Sequence, residues 1–171
     1  MNRYRRNSEA EGFTLIELLI VMSLILILMT LAIPNLMSIR KHGNETSAIA
    51  SLRAINTAEL SYATTYPASQ FACSLTALGG TGAAGSSPTA QSAGLIPPDL
   101  TTGQKAGYTF AFSNCTKVSI NNQDMYTGYQ LTAVPQSLGK AGTGDRGFCT
   151  DQTGEIKADP AGGTNCTQPI Q

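Results

Sequence analysis

Glu17 is the residue in this chain whose surroundings least suit it. It stands in the run Phe13-Thr14-Leu15-Ile16-Glu17-Leu18-Leu19-Ile20. A carboxylate inside a long apolar run is costly enough that its presence marks a function. Four residues before it lies the junction Gly12-Phe13, and the short leader upstream carries Arg3, Arg5 and Arg6. Other residues able to do chemistry are few. The four cysteines, Cys73, Cys115, Cys149 and Cys166, are an even set in polar sequence, which favours two disulfides. No two have the C-x-x-C spacing of a zinc or redox centre. The single histidine, His42, sits between Lys41 and Gly43 with no nucleophile or acid cluster beside it. No catalytic set, cofactor or metal centre is therefore expected, and the chain does not read as an enzyme.

The elements that must position Glu17 come next. From Leu18 to Ile39 there is no formal charge, and at about 1.5 Å per residue this stretch spans the roughly 30 Å hydrocarbon layer of a membrane. Pro34 interrupts it and is the expected helix kink, with Gly43 a second bend. The basic leader favours a cytoplasmic N-terminus, so that the remainder would be translocated. A cleaved secretory signal fits poorly, because the apolar core is too long and no small-x-small site follows it. A plain signal anchor fits better, but leaves Glu17 and the Gly-Phe junction unexplained. The rest of the 171 residues leaves room for one modest domain. With a net charge of zero and only 13% charged residues, it offers no broad basic surface, so nucleic acid is not indicated as a partner.

Gly12-Phe13-Thr14-Leu15-Ile16-Glu17-Leu18 resembles the prepilin processing motif of type IV pilins, a family that also includes the pseudopilins of type II secretion. The resemblance implies cleavage between Gly12 and Phe13 by a prepilin peptidase on the cytoplasmic side, followed by N-methylation of Phe13. Glycine suits such a cut because it offers little steric obstruction. Glu17, at i+4 from Phe13, then shares a helix face with the new amine and lies at the favourable end of the helix dipole. In a waterless bundle of helices it would seek an amine of its own or a neighbouring subunit, because an unpartnered buried charge is strongly destabilising. The implied product is a homopolymeric helical filament. Its implied partners are the peptidase/methyltransferase, an inner-membrane assembly platform and minor pilins. The precursor would sit in the inner membrane and the filament outside the cell, where it would serve adhesion or motility. A pseudopilin is the alternative.

The organisation that follows is a leader at 1–12, a transmembrane or filament-core stem at 13–43, and a headgroup at 44–171. One helix is expected from Phe13 to about Thr65, ended by Pro67. Its second half is amphipathic, with Ile49, Leu52, Ile55, Tyr62 and Tyr66 on one stripe and Arg53 and Glu59 off it. Arg40 and Lys41 suit a membrane edge. Residues 68–107 read as a long connection with a packed patch at Leu95–Leu100, and the glycines between Gly79 and Gly85 suggest flexibility. Beyond Gly107 the pattern turns to strands. Tyr108, Phe110 and Phe112 alternate, as do Val118 with Ile120 and Tyr129, Leu131 with Ala133. Asp151-Gln152-Thr153-Gly154 signals a hairpin. The fold class is α+β, a long helix packed on an antiparallel sheet of four or five strands. Four cysteines allow three connectivities. Cys73 with Cys115 and Cys149 with Cys166 are expected, since each pair closes a separate loop.

The remaining signals have plain readings. Most aromatics belong to a core. A conducting path along the stem would need aromatics there, yet none stands between Phe13 and Tyr62. Asp145, Asp151, Glu155 and Asp159 form a loose acidic group of solvated turn residues rather than a calcium loop. The sequons at Asn44, Asn114 and Asn165 are short enough to arise by chance.

Overall fold

The computed structural model describes residues 12–80 and 87–170, without the side chains of 31–35. The leader before Gly12, the expected kink at Pro34 and the glycines at 82 and 85 lie outside the described residues. Two compact units divide at Met37 and Ser38.

The element that runs through the first unit is α1, Leu15–Thr65, a helix of 51 residues. Leucine, isoleucine and methionine dominate its opening, and their side chains stand open, Leu15 at 91% and Ile16 at 67% exposure. Among the described residues no helix is long and apolar enough to cross a membrane.

In the second unit, α1 is amphipathic and ends where Pro67 forbids continuation. The last turn closes with Tyr66 N–H donating to Tyr62 O at 2.8 Å, and Ser69 N–H then turns back to Tyr66 O. Ala48, Leu52, Ile55 and Tyr62 are buried, as the stripe requires, and Ile49 and Tyr66 pack at its margin. Their partners are the inward side chains of a six-stranded antiparallel meander. Its strands are β1 (Gln104–Lys105), β2 (Tyr108–Ile120), β3 (Gln123–Pro135), β4 (Gly147–Asp151), β5 (Ile156–Asp159) and β6 (Gln168–Pro169), in spatial order of sequence. Tyr108, Phe110, Leu131, Ala133, Phe148 and Ile156 fill the helix-facing side. Each large apolar side chain so buried stabilises by about 1.5–3 kcal/mol.

The sheet has six strands where four or five were expected. The additions are β1 and β6, two-residue pairings at opposite edges, too short for alternation to reveal. The long central hairpin was also understated. Asn121 and Asn122 both adopt left-handed φ, 52° and 59°, which gives the two-residue turn whose twist matches the flanking strands. The expected hairpin at 151–154 forms, closed by Gly154 N–H to Asp151 O at 3.0 Å. The connection at 68–107 is not structureless. It holds two short helices, α2 (Leu75–Gly79) and α3 (Pro98–Thr101), and Leu78, Ile96 and Leu100 from it are buried. Cys73 is joined to Cys115 and Cys149 to Cys166, with Cα separations of 6.3 Å and 5.9 Å.

Glu59 corrects the sequence reading. It was placed off the apolar stripe, yet it is completely buried. Its spacing of four from Ile55 and three from Tyr62 puts it on the inward face, and two backbone donors make that burial tolerable. Ala72 N–H donates to Oε2 at 2.8 Å and Cys73 N–H to Oε1 at 3.1 Å. Desolvation pushes this carboxyl up to about 7, against the pull of those two hydrogen bonds. A raised folded-state value means the folded chain holds the proton longer than the unfolded one. The resulting stability is full below about pH 4.5 and is lost as pH rises through 7. Thermal unfolding should therefore show a falling melting temperature across that window, with a free-energy change on the order of 3 kcal/mol. Glu59→Gln should flatten the slope, and an unchanged slope would reassign it to another group.

Candidate functional site

Gly12, Phe13 and Glu17 lie together at the start of α1. Gly12 is exposed, and a Cβ there would meet nothing within 4 Å. Phe13 is 84% exposed. Among the described residues none packs over the peptide bond between them.

Thr14 and Glu17 form a reciprocal cap on the helix. Thr14 N–H donates to Glu17 Oε2 at 2.9 Å, and the Thr14 hydroxyl donates to the same oxygen at 2.8 Å. In return Glu17 N–H approaches Thr14 Oγ1 at 3.3 Å. This is a capping box, in which the first side chain serves the third helical N–H and the acid serves the cap residue's own N–H. The first helical turn follows with Leu18 N–H on Thr14 O at 3.3 Å. Both donors from Thr14 converge on Oε2, and Oε1 accepts no hydrogen bond among the described residues. Sequence reasoning found Glu17 but not Thr14. The T-x-x-E signal stands in Thr14-Leu15-Ile16-Glu17.

Three comparisons bear on this end of the chain. Residues 8–33 match the model of the prokaryotic N-terminal methylation motif. Two type IV pilins are similar to part of the chain. The type IV wide pilus major component PilA4 of Thermus thermophilus is 56% identical over 43 residues, which is 25% of this chain and 33% of that one. The type IV major pilin protein PilA of Myxococcus xanthus is 41% identical over 58 residues, 34% of this chain and 26% of that one. This chain thus spans a third or less of the length of those relatives. No solved structure matches it.

Elsewhere in the chain, the structure does not gather the four acids of the C-terminal region into one site. Asp145 pairs with Lys41 Nζ at 2.6 Å. Asp151 accepts from Thr153 N–H at 2.8 Å, and Glu155 faces Lys157 at 3.3 Å. Asp159 accepts from Ala161 and Asn165 N–H, each at 2.9 Å. Among the described residues no three His, Cys, Asp or Glu side chains are grouped to hold a metal. His42 is exposed on α1. Lys41, expected at a membrane edge, is instead buried in the second unit with Asp145 as its partner.

Two acids that the sequence reading left unused fasten α1 to the loops at Ala72–Cys73 and Asp145–Arg146. Glu59 has been described. Glu45, one turn after Lys41, accepts from Asp145 N–H at 3.1 Å and Arg146 N–H at 3.2 Å through Oε1. Through Oε2 it takes Arg146 Nε at 3.0 Å and Nη2 at 2.7 Å. Asn44 Nδ2 adds a bond to Thr143 O at 2.8 Å, and the Arg146 guanidinium stacks 5.5 Å from the Phe148 ring centre.

Proposed function

We propose that this chain is the subunit of a bacterial type IV pilus. Prepilin peptidase cuts between Gly12 and Phe13, the new Phe13 amine is methylated, and the apolar half of α1 polymerises as the filament core. The observation that carries this reading is the methylation-motif match over residues 8–33, which brackets the exposed Gly12-Phe13 junction. The open apolar side chains from Leu15 to Met29 need a non-aqueous environment. On this reading the membrane supplies it before assembly and sister helices supply it afterwards. The assembly platform and minor pilins are the further partners of that process. Glu17 guides subunit register by offering its carboxylate to a neighbour's amine. The protein catalyses nothing, and its partner in the filament is itself.

A pseudopilin of type II secretion is the alternative. Two disulfides fastening the second unit favour the exposed filament, where covalent staples raise resistance to unfolding. Mass spectrometry of sheared surface filaments is the test. The chain should begin at Phe13 carrying one added methyl group. Filaments built from chains that begin at Met1 would refute the processing claim, and a secretion defect without filaments would favour the pseudopilin.

A further inference from the structure

The connection between β3 and β4 exposes one large apolar side chain, Leu138, with Lys140 close behind it. We infer that this loop rests on an anionic lipid surface before the filament forms. The inference rests on the membrane stage proposed above.

Position is the first ground. β4 runs alongside α1, because Arg146 at its start is held by Glu45 and Thr150 near its far end is bonded to Asn56 at 2.8 Å. β3 is antiparallel to β4, so Pro135, its last residue, lies at the Glu45 end. The loop that follows is pinned to the same end. Asn44 Nδ2 donates to Thr143 O at 2.8 Å, and Lys41 pairs with Asp145 at 2.6 Å. The loop is closed on itself by Thr143 N–H to Ser137 O and Gly142 N–H to Gly139 O, each at 2.9 Å.

The second unit begins at Ser38, inside the uncharged run that ends at Ile39. With that run in hydrocarbon, the boundary falls at Arg40. Asn44 then stands about 6 Å further along the helix. The polar layer of a bilayer is itself about 5–8 Å deep on each side. A loop pinned at Lys41 and Asn44 is therefore level with lipid headgroups.

The exposed chemistry is the second ground. Leu138 is 56% exposed. Lys140 and Arg40 are exposed too, and among the described residues neither is in an ion pair. The acids at this end are already engaged. Asp145 is held by Lys41 and Glu45 by Arg146, while Asp159 is buried under the N–H groups of Ala161 and Asn165. An apolar side chain beside free cations is what an interface of acyl chains and anionic headgroups accommodates. The β2–β3 tip, at the other end of the sheet, differs. It exposes Val118 and Ile120, but its Lys117 is paired with Asp124 at 2.6 Å.

The chain has no tryptophan, so Leu138→Trp introduces a single fluorescent reporter. Ile120→Trp is the control at the far tip. Both sites are more than half exposed, at 56% and 53%, so neither replacement disturbs the core. Each full chain is reconstituted into vesicles of phosphatidylcholine and phosphatidylglycerol, with and without bromine on the acyl chains near the headgroup. Bromine should quench Leu138→Trp roughly twofold, as for a side chain about 5–10 Å into the boundary, and leave Ile120→Trp unchanged. Pure phosphatidylcholine, or Arg40→Gln with Lys140→Gln, should remove most of that quenching. The inference is overturned if Leu138→Trp is quenched no more than Ile120→Trp, or equally without anionic lipid. Blue-shifted emission without quenching would mean that a second copy of the chain covers Leu138, and overturns it too. Flotation separates this inference from the reading beneath it. A chain that floats with the vesicles but leaves Leu138→Trp unquenched removes the lipid contact alone. A chain that does not float removes the membrane stage and the contact together.

Discussion

Filaments are expected to disappear from cells carrying Glu17→Ala, while the chain still reaches the membrane fraction. The structure supplies a sharper version of this test. Glu17 has a local duty, the capping box with Thr14, and a proposed duty toward a neighbour's amine. Glutamine can perform the first, because an uncharged amide oxygen also caps the helix start. It cannot perform the second, which needs a negative charge opposite a positive one. Glu17→Gln should therefore lose filaments about as completely as Glu17→Ala. Electron microscopy of sheared material, with membrane fractions as control, reads the result. Normal filament yield from Glu17→Gln would reduce Glu17 to a helix cap and remove it from assembly.

The second large effect is expected at Glu45. Its side chain is only 4% exposed and receives four donors from Asp145 and Arg146. Alanine would strand two backbone N–H groups and a guanidinium that has partly left water. The expected loss is about 3 kcal/mol, or roughly 10 °C in melting temperature for a chain of this size. Glu45→Gln should recover part of it, because an amide oxygen can still accept from the two backbone donors. Thermal unfolding followed by circular dichroism would measure both. A shift below about 1 °C for Glu45→Ala would mean that the loop re-forms its contacts with water at no cost, against the usual penalty for stranded donors.

The contrast between these two glutamates shows what the sequence discloses. Glu17 was visible because it is the one charged residue in a long apolar run. Glu45 and Glu59 were not, because they sit in ordinary amphipathic sequence where an acid reads as a solvated face. Their burial depends on backbone donors at Asp145, Arg146, Ala72 and Cys73, all distant or across a turn, and no periodicity encodes such donors. The helix stripe at Leu52, Ile55 and Tyr62 and the alternation at Tyr108, Phe110 and Phe112 were legible because apolar burial repeats with the geometry of the element. The two-residue edges β1 and β6 contain no repeat to read. Thr14 was legible in principle and missed.

Glu59 has a consequence for how the chain is oxidised. Its carboxyl holds the backbone of Ala72 and Cys73 against α1, and the β2–β3 pairs at Ser113 and Thr116 hold the strand on either side of Cys115. Both thiols can thus be brought together by hydrogen bonds before any sulfur–sulfur bond exists. Of the three pairings open to four cysteines, an ordered chain presents one. A buried acid would then act as the template for oxidative folding, so that a chain lacking it should accumulate mispaired isomers even where its final fold is stable enough to persist.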